Sequence, residues 1–191
     1  MPPAQKMVSN RPRFDKIPQL TRPANYKIDV SWRYLLKHLE GWEERYMDTG
    51  LDMDPDFQRG HVWTLEQRRS YVEFMLRGGT GSNIIYFNHP DWMNFRIEAP
   101  ITLVDGKQRV TSAKLFLRDQ LPVFGGWVFS DFEDEMAWQV GFIFCVNNLK
   151  TREEVIRWYL EMNYSGTPHS KEELERVRLL YLKETAQDAN Q

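Results

Sequence analysis

The stretch Ile101–Phe116, ITLVDGKQRVTSAKLF, constrains the fold most because its hydrophobic period changes in mid-course. Ile101, Leu103 and Val104 make a short apolar run of strand type that stops at Asp105-Gly106. Ala113, Phe116 and Leu117 then recur at helical spacing behind Thr111-Ser112. A strand that passes through one glycine into a helix requires both kinds of element in one unit. The rest of the chain mixes strands and helices without regular alternation, internal repeat or low-complexity block. The expected class is therefore α+β, a small mixed sheet with several packed helices.

The other elements follow from spacing and caps. Trp32, Leu35, Leu36, Leu39, Trp42 and Tyr46 step by threes and fours, which predicts an amphipathic helix with Ser31 as its cap and His38 among its polar positions. Residues 52–63 read as a loop or short irregular strand. Thr64 and Gln67 make a capping-box pair for a helix that ends at Gly78-Gly79. NIIYFN and GFIFCV read as strands, and FRIEAPITLVDG as two strand pieces joined at Ala99-Pro100. The junction helix is expected from about Val110 to Arg118. Ser130 with Glu133 predicts a short acidic helix through Trp138, after the aromatic, glycine-containing stretch LPVFGGWVF. Thr151 with Glu154 and Ser170 with Glu173 open two more helices, the last with Leu174, Val177 and Tyr181 on one stripe.

With 191 residues, one domain is expected over 28–185, with a basic extended arm at 1–27 and a polar tail at 186–191. The arm holds Lys6, Arg11, Arg13, Lys16, Arg22 and Lys27 against Asp15, and five of the ten prolines. A net charge of −2 excludes polyanion binding by bulk charge, so DNA would be met through a local patch such as this arm. The single cysteine, Cys145, lies in an apolar run and reads as a buried structural thiol, which fits a reducing cytosol. The N-terminus lacks a secretory core segment, and no apolar run approaches the ~20 residues that span a bilayer. A cytoplasmic, non-membrane protein is expected.

Two polar clusters carry the chemistry, PDFQRGHVW (Pro55–Trp63) and VDGKQRVTS (Val104–Ser112), each with a Gln-Arg pair beside a glycine. Arginine offers a planar fork of donors suited to phosphate oxygens, and lysine a point charge. Gly106 allows close backbone approach. Thr111 and Ser112, read as the start of a helix, add hydroxyl and amide donors where the helix dipole favours an anion. The second cluster thus reads as an anion cradle for nucleotide phosphates. The same residues also fit two other readings. Arg59 and Arg109 can serve as ion-pair partners of Asp56 and Asp105 that hold a joint together. Pro55-Asp56 with Asp105–Lys107 imitates the PD…DxK centre of metal-dependent nucleases, in which carboxylates hold Mg²⁺. That centre needs acid and lysine on one face of a continuing strand, and Gly106 argues for a turn.

With MNYSGTPHSKEEL (Met162–Leu174), these clusters resemble, in order and spacing, the ParB-like domains with a DGQQR motif found in modification-dependent restriction proteins and other phage-defence systems. The resemblance spans about Ser31 to Tyr181 and implies a ParB/sulfiredoxin-like fold that binds, and in the family hydrolyses, a nucleoside triphosphate. It carries Asp105, Gly106, Gln108, Arg109, Thr111 and Ser112 to the nucleotide, with Gln58 and Arg59 facing them and Asn163 and Gly166 at the closing turn. Asp105 and Gln108 take the catalytic roles, and Asp105 the Mg²⁺. Lys107 departs from the family's glutamine at that place. It suits a phosphate but cannot orient a water while charged, so binding with slow or absent turnover is expected. DNA cleavage by the family's His-Asn-His nuclease domain is not expected, since His38, His61, His89 and His169 lack metal-ligand spacing. A regulatory module that grips DNA and acts with a partner protein is the alternative.

Overall fold

A computed structural model describes residues 14–21, 26–45, 49–58, 63–92, 99–164 and 171–188. Five strands, β1 (Tyr26–Ser31), β2 (Leu51–Asp52), β3 (Ile84–Asn88), β4 (Ile101–Asp105) and β5 (Gly141–Asn147), form one sheet in the order β1-β5-β3-β4-β2. β1 runs antiparallel to β5 and β3 antiparallel to β4, while β5–β3 and β4–β2 are parallel pairs. Helices α1 (Leu35–Arg45), α2 (Leu65–Leu76), α3 (Lys107–Leu117), α4 (Arg152–Tyr164) and α5 (Lys171–Asp188) complete the described fold, which is a mixed α+β domain.

The sheet separates two apolar clusters. Alternate residues of β3, β4 and β5, such as Phe87, Leu103 and Phe144, point into the larger one. Its helices supply Leu35, Leu39 and Trp42 from α1, Tyr71, Val72 and Met75 from α2, and Val110, Ala113 and Phe116 from α3. On the other face Phe57, Val104 and Tyr86 meet Ile156, Trp158 and Tyr159 of α4 and Val177 of α5. β5 is buried on both faces over most of its length, so its sequence is a continuous apolar run and not an alternation.

Several local readings hold. Thr64 and Gln67 form both capping-box bonds, Gln67 N to Thr64 Oγ1 (3.2 Å) and Thr64 N to Gln67 Oε1 (2.8 Å). Gly78, at φ +82°, ends that helix with its N–H on Met75 O (3.0 Å). Thr151 and Glu154 cap α4 reciprocally, and Cys145 is buried. Others differ. Tyr26 and Lys27, expected in the arm, pair with Val146 and Cys145 as the first residues of β1. Ser31 does not cap its helix; its Oγ donates to Val140 O (3.4 Å), and Trp32–Tyr34 form a 3-10 turn before α1. His38 is not on a solvent face, since its ring meets Trp42 and Phe144. The acidic helix expected through Trp138 is only a 3-10 turn, Phe129–Asp131. Beyond it Arg33 Nε donates to Met136 O and Val140 N to Ala137 O (3.1 Å). The arm cations Lys6, Arg11, Arg13 and Arg22, and Tyr46, Ser170 and the side chain of Leu174, lie outside the described residues.

Candidate functional site

Gly106 makes the β4–α3 junction. Its φ is +106°, and a Cβ there would stand 2.5 Å from Ile85 Cδ1, so a larger residue would meet both backbone strain and the core. α3 begins at Lys107, three residues before the expected start near Val110. Lys107, Gln108 and Arg109 are therefore the first helical turn, whose N–H groups have no partner within the helix. Val110 N already donates to Gly106 O (3.0 Å). Thr111 and Ser112 lie one turn in, within the helical ladder, and do not supply the free amides that a later start would have given them.

The side chains of this turn leave in different directions. Lys107, only 6% exposed, forms an ion pair with Asp54 in the turn after β2. Gln108 points inward, its Oε1 accepting from Arg68 Nη2 of α2 (3.0 Å) and from Trp63 N (3.5 Å). Ser112 is fully buried and donates to Gln108 O (2.7 Å). Arg109 turns toward the strand end and pairs with Asp105. Burial pushes the pKa values of Tyr71 and Tyr86 up, and the Arg109 charge offsets part of that rise. A register shift in the β3–β4 pairing sets Tyr86 opposite Asp105. Gln58 Nε2 donates to Leu103 O (2.5 Å), tying the turn after β2 to β4.

The two glutamines thus reach the same junction. Arg59 and Gly166 lie outside the described residues. Asp56, the acid expected for Arg59, bonds Arg152 Nη2 of α4 (2.5 Å), and its backbone oxygen accepts from Arg176 of α5 (2.6 Å). Asn163 donates to Tyr159 O one turn back on α4 (2.7 Å). Asp105, the expected Mg²⁺ ligand, has its carboxylate on Arg109, and among the described residues no group of three or more His, Cys, Asp or Glu is placed to hold a metal ion. A single carboxylate committed to a guanidinium does not fit a resident Mg²⁺. The PD…DxK arrangement would need β4 to continue through Lys107, which instead opens α3.

Two features were not read from the sequence. Lys107, Thr111, Lys114 and Arg118 share one stripe of α3 and, with Asp54 and Gln120, line a cavity of about 270 Å³. Burial lowers the Lys114 pKa, Arg118 lowers it further, and Glu43 and Glu40 of α1 partly offset both. The stripe was legible as steps of four, three and four, once the helix is known to start at Lys107. The second feature is Arg68, 7% exposed at the head of the buried stripe Tyr71–Val72–Met75. Its Nη1 is buried with no hydrogen-bond partner, and burial lowers its pKa. Its signal was a cation at an apolar position of α2.

Comparison of the chain with protein-family models, with curated proteins and with solved structures finds no match.

Proposed function

We propose that the domain binds a nucleoside triphosphate whose phosphates lie along the cationic flank of α3. The observation that carries this reading is the convergence of Lys107, Lys114 and Arg118 on one cavity. Lys107 is held by Asp54, but Lys114 is partly desolvated with Arg118 beside it, which raises the free energy of the empty site, and an anion relieves that cost. Thr111 adds a hydroxyl to the same cavity, and the α3 N-terminal turn adds amides and a favourable dipole. Buried Arg68 places a further guanidinium beside Gln108 at that turn. The resemblance of VDGKQRVTS to the DGQQR motif supports a nucleotide over a simple anion. A ParB/sulfiredoxin-like relationship, and a role in DNA processing or phage defence in the cytoplasm, belong to the same proposal.

Mg²⁺ enters here only as the counter-ion that a triphosphate brings with it. Turnover is slow or absent. Gln108 has its carbonyl oxygen held by Arg68 and Trp63, Asp105 is held by Arg109, and charged Lys107 cannot accept a hydrogen bond from a water.

Calorimetry with each of the four triphosphates tests the reading. Binding that is lost in Lys114→Ala/Arg118→Ala, with the melting temperature unchanged, supports it. Absence of heat with all four, or binding indifferent to both substitutions, refutes it. Phosphate release that rises on Lys107→Gln would locate the block on turnover at that residue.

A further inference from the structure

The opposite flank of α3 carries a second cavity, of about 350 Å³, that the nucleotide reading does not use. Phe116 of α3 and Phe124, Phe129 and Phe132 of the segment after it line this cavity, together with Met136. The Phe116 ring meets Phe129 and Phe132 nearly edge-to-face, at centroid distances of 5.6 and 6.2 Å. Two carboxylate residues, Asp134 and Glu135, also line it, and Asp131 and Glu133 beside them are exposed.

Phe124 holds an uncommon backbone for a bulky residue, φ +48°, ahead of Gly125 and Gly126 at φ +88° and +145°. Its N–H donates to Glu73 Oε1 of α2 (2.7 Å), which fixes the turn and keeps its ring at the cavity wall. Left-handed backbone at a non-glycine residue costs free energy and persists where surrounding structure imposes it. The rings of this region already attract cations: the Arg77 guanidinium lies 5.2 Å from the Phe124 centroid, and that of Arg33 lies 4.7 Å from Trp138. Arg33 also meets Glu135 (2.5 Å), leaving Asp134 as the lining carboxylate with no ion pair among the described residues.

From this cavity we infer that the domain has a binding site for a small organic cation, of the quaternary ammonium or guanidinium class, enclosed by Phe116, Phe124, Phe129 and Phe132 and neutralised by Asp134. Aromatic faces carry negative quadrupole potential, so several rings around one pocket favour a bulky, weakly hydrated cation over an equally bulky neutral group. The volume is within the range of small-molecule sites. A neutral apolar ligand would gain nothing from the acidic lip, and an inorganic cation would find Asp134 alone, since Arg33 holds Glu135 and no group of three metal ligands is placed together among the described residues.

Choline and its uncharged isostere 3,3-dimethylbutan-1-ol, titrated into the whole chain and followed by amide and indole NMR shifts, distinguish these cases. Choline should shift resonances of residues 124–137 and bind at least about fivefold more tightly than the alcohol. Asp134→Asn should weaken choline and leave the alcohol unchanged. Phe124→Gly should weaken choline while preserving the fold, because glycine adopts the left-handed backbone without strain. Equal affinity for both compounds, choline affinity unaffected by Asp134→Asn, or absence of choline-dependent shifts in this segment at millimolar concentration would each overturn the inference. The surface change Asp134→Asn keeps the test decisive if a ring substitution perturbs the fold.

Discussion

On one flank of α3, Lys107, Lys114 and Arg118 line a cavity with a single acid, Asp54, which Lys107 holds; on the other, four phenylalanines line a cavity whose lining charges are acids. The two flanks share one helix and have opposite chemistry. Each keeps a feature that folding alone would discard. The first lowers the Lys114 pKa, by burial first and by Arg118 next, and the second leaves Trp138 and Phe132 of the same segment 61% and 42% exposed. By contrast, the residues between the flanks are internally committed: Gln108 to Arg68, Ser112 to its own helix and Arg109 to Asp105. It is on these departures from the best folding choice that the two binding proposals rest.

The largest expected effect is on the residue both the core and the aromatic flank need. Phe116→Ala removes a fully buried ring and should destabilise by about 3–5 kcal/mol, lowering Tm by roughly 10 °C in a calorimetric scan. If the flanks are independent, the surviving folded protein still binds triphosphate; loss of binding at a temperature where the variant is folded would show that α3 couples them.

Gly106→Ala comes next. The left-handed backbone and the approach to Ile85 should cost about 1–3 kcal/mol in urea unfolding. A stability loss below that range would mean that β3 and Ile85 yield easily and that the junction is not rigid.

Arg118→Ala and Lys114→Ala should each change stability by no more than about 0.5 kcal/mol, as surface substitutions do. Each should weaken triphosphate binding roughly tenfold, the scale of a charge-assisted hydrogen bond. Choline binding on the other flank should be untouched. A fall in stability alone would assign the stripe to structure.

The smallest effect is a pH dependence at Lys114. Its folded pKa is depressed below the ordinary 10.5, mainly by burial and next by Arg118, so the unfolded chain binds more protons between the two values and stability rises with pH across that window. Lys114→Met should therefore exceed the wild type by a few tenths of a kcal/mol near neutrality. The gap should narrow as pH rises through the folded pKa to 10.5. A gap constant with pH would attribute the gain to packing by methionine.

Much of this was legible locally. The Thr64–Gln67 box, the Gly78 cap, the apolar run of β5 and the turn at Gly106 follow from preferences that act within a few residues, where covalent geometry and near hydrogen bonds outweigh distant contacts. The same holds for the helical stripe of α1 and the strand pattern of β4. His38 defeated this logic, because a position polar by helical count is covered by Phe144 of β5. The start of α3 did so too, since Lys107 and Gln108 are drawn into the helix by partners in other segments, Asp54 and Arg68.

The sequence by itself determined that strand and helix share one domain, that a glycine joins them, and that donors suited to an anion gather there. Tertiary structure decided which of those donors face a cavity. It turned Gln108 toward Arg68, gave Lys107 to Asp54 and set Lys114 and Arg118 on the same cavity, whereas the Arg109–Asp105 pair, one helical turn apart, was open to the sequence. It also left only a 3-10 turn in the segment after α3, where a helix was expected, and set the rings of that segment around a cavity. The physical reason is range: propensity and capping act over one turn, whereas the direction of a side chain depends on contacts made by residues 40 to 100 positions away.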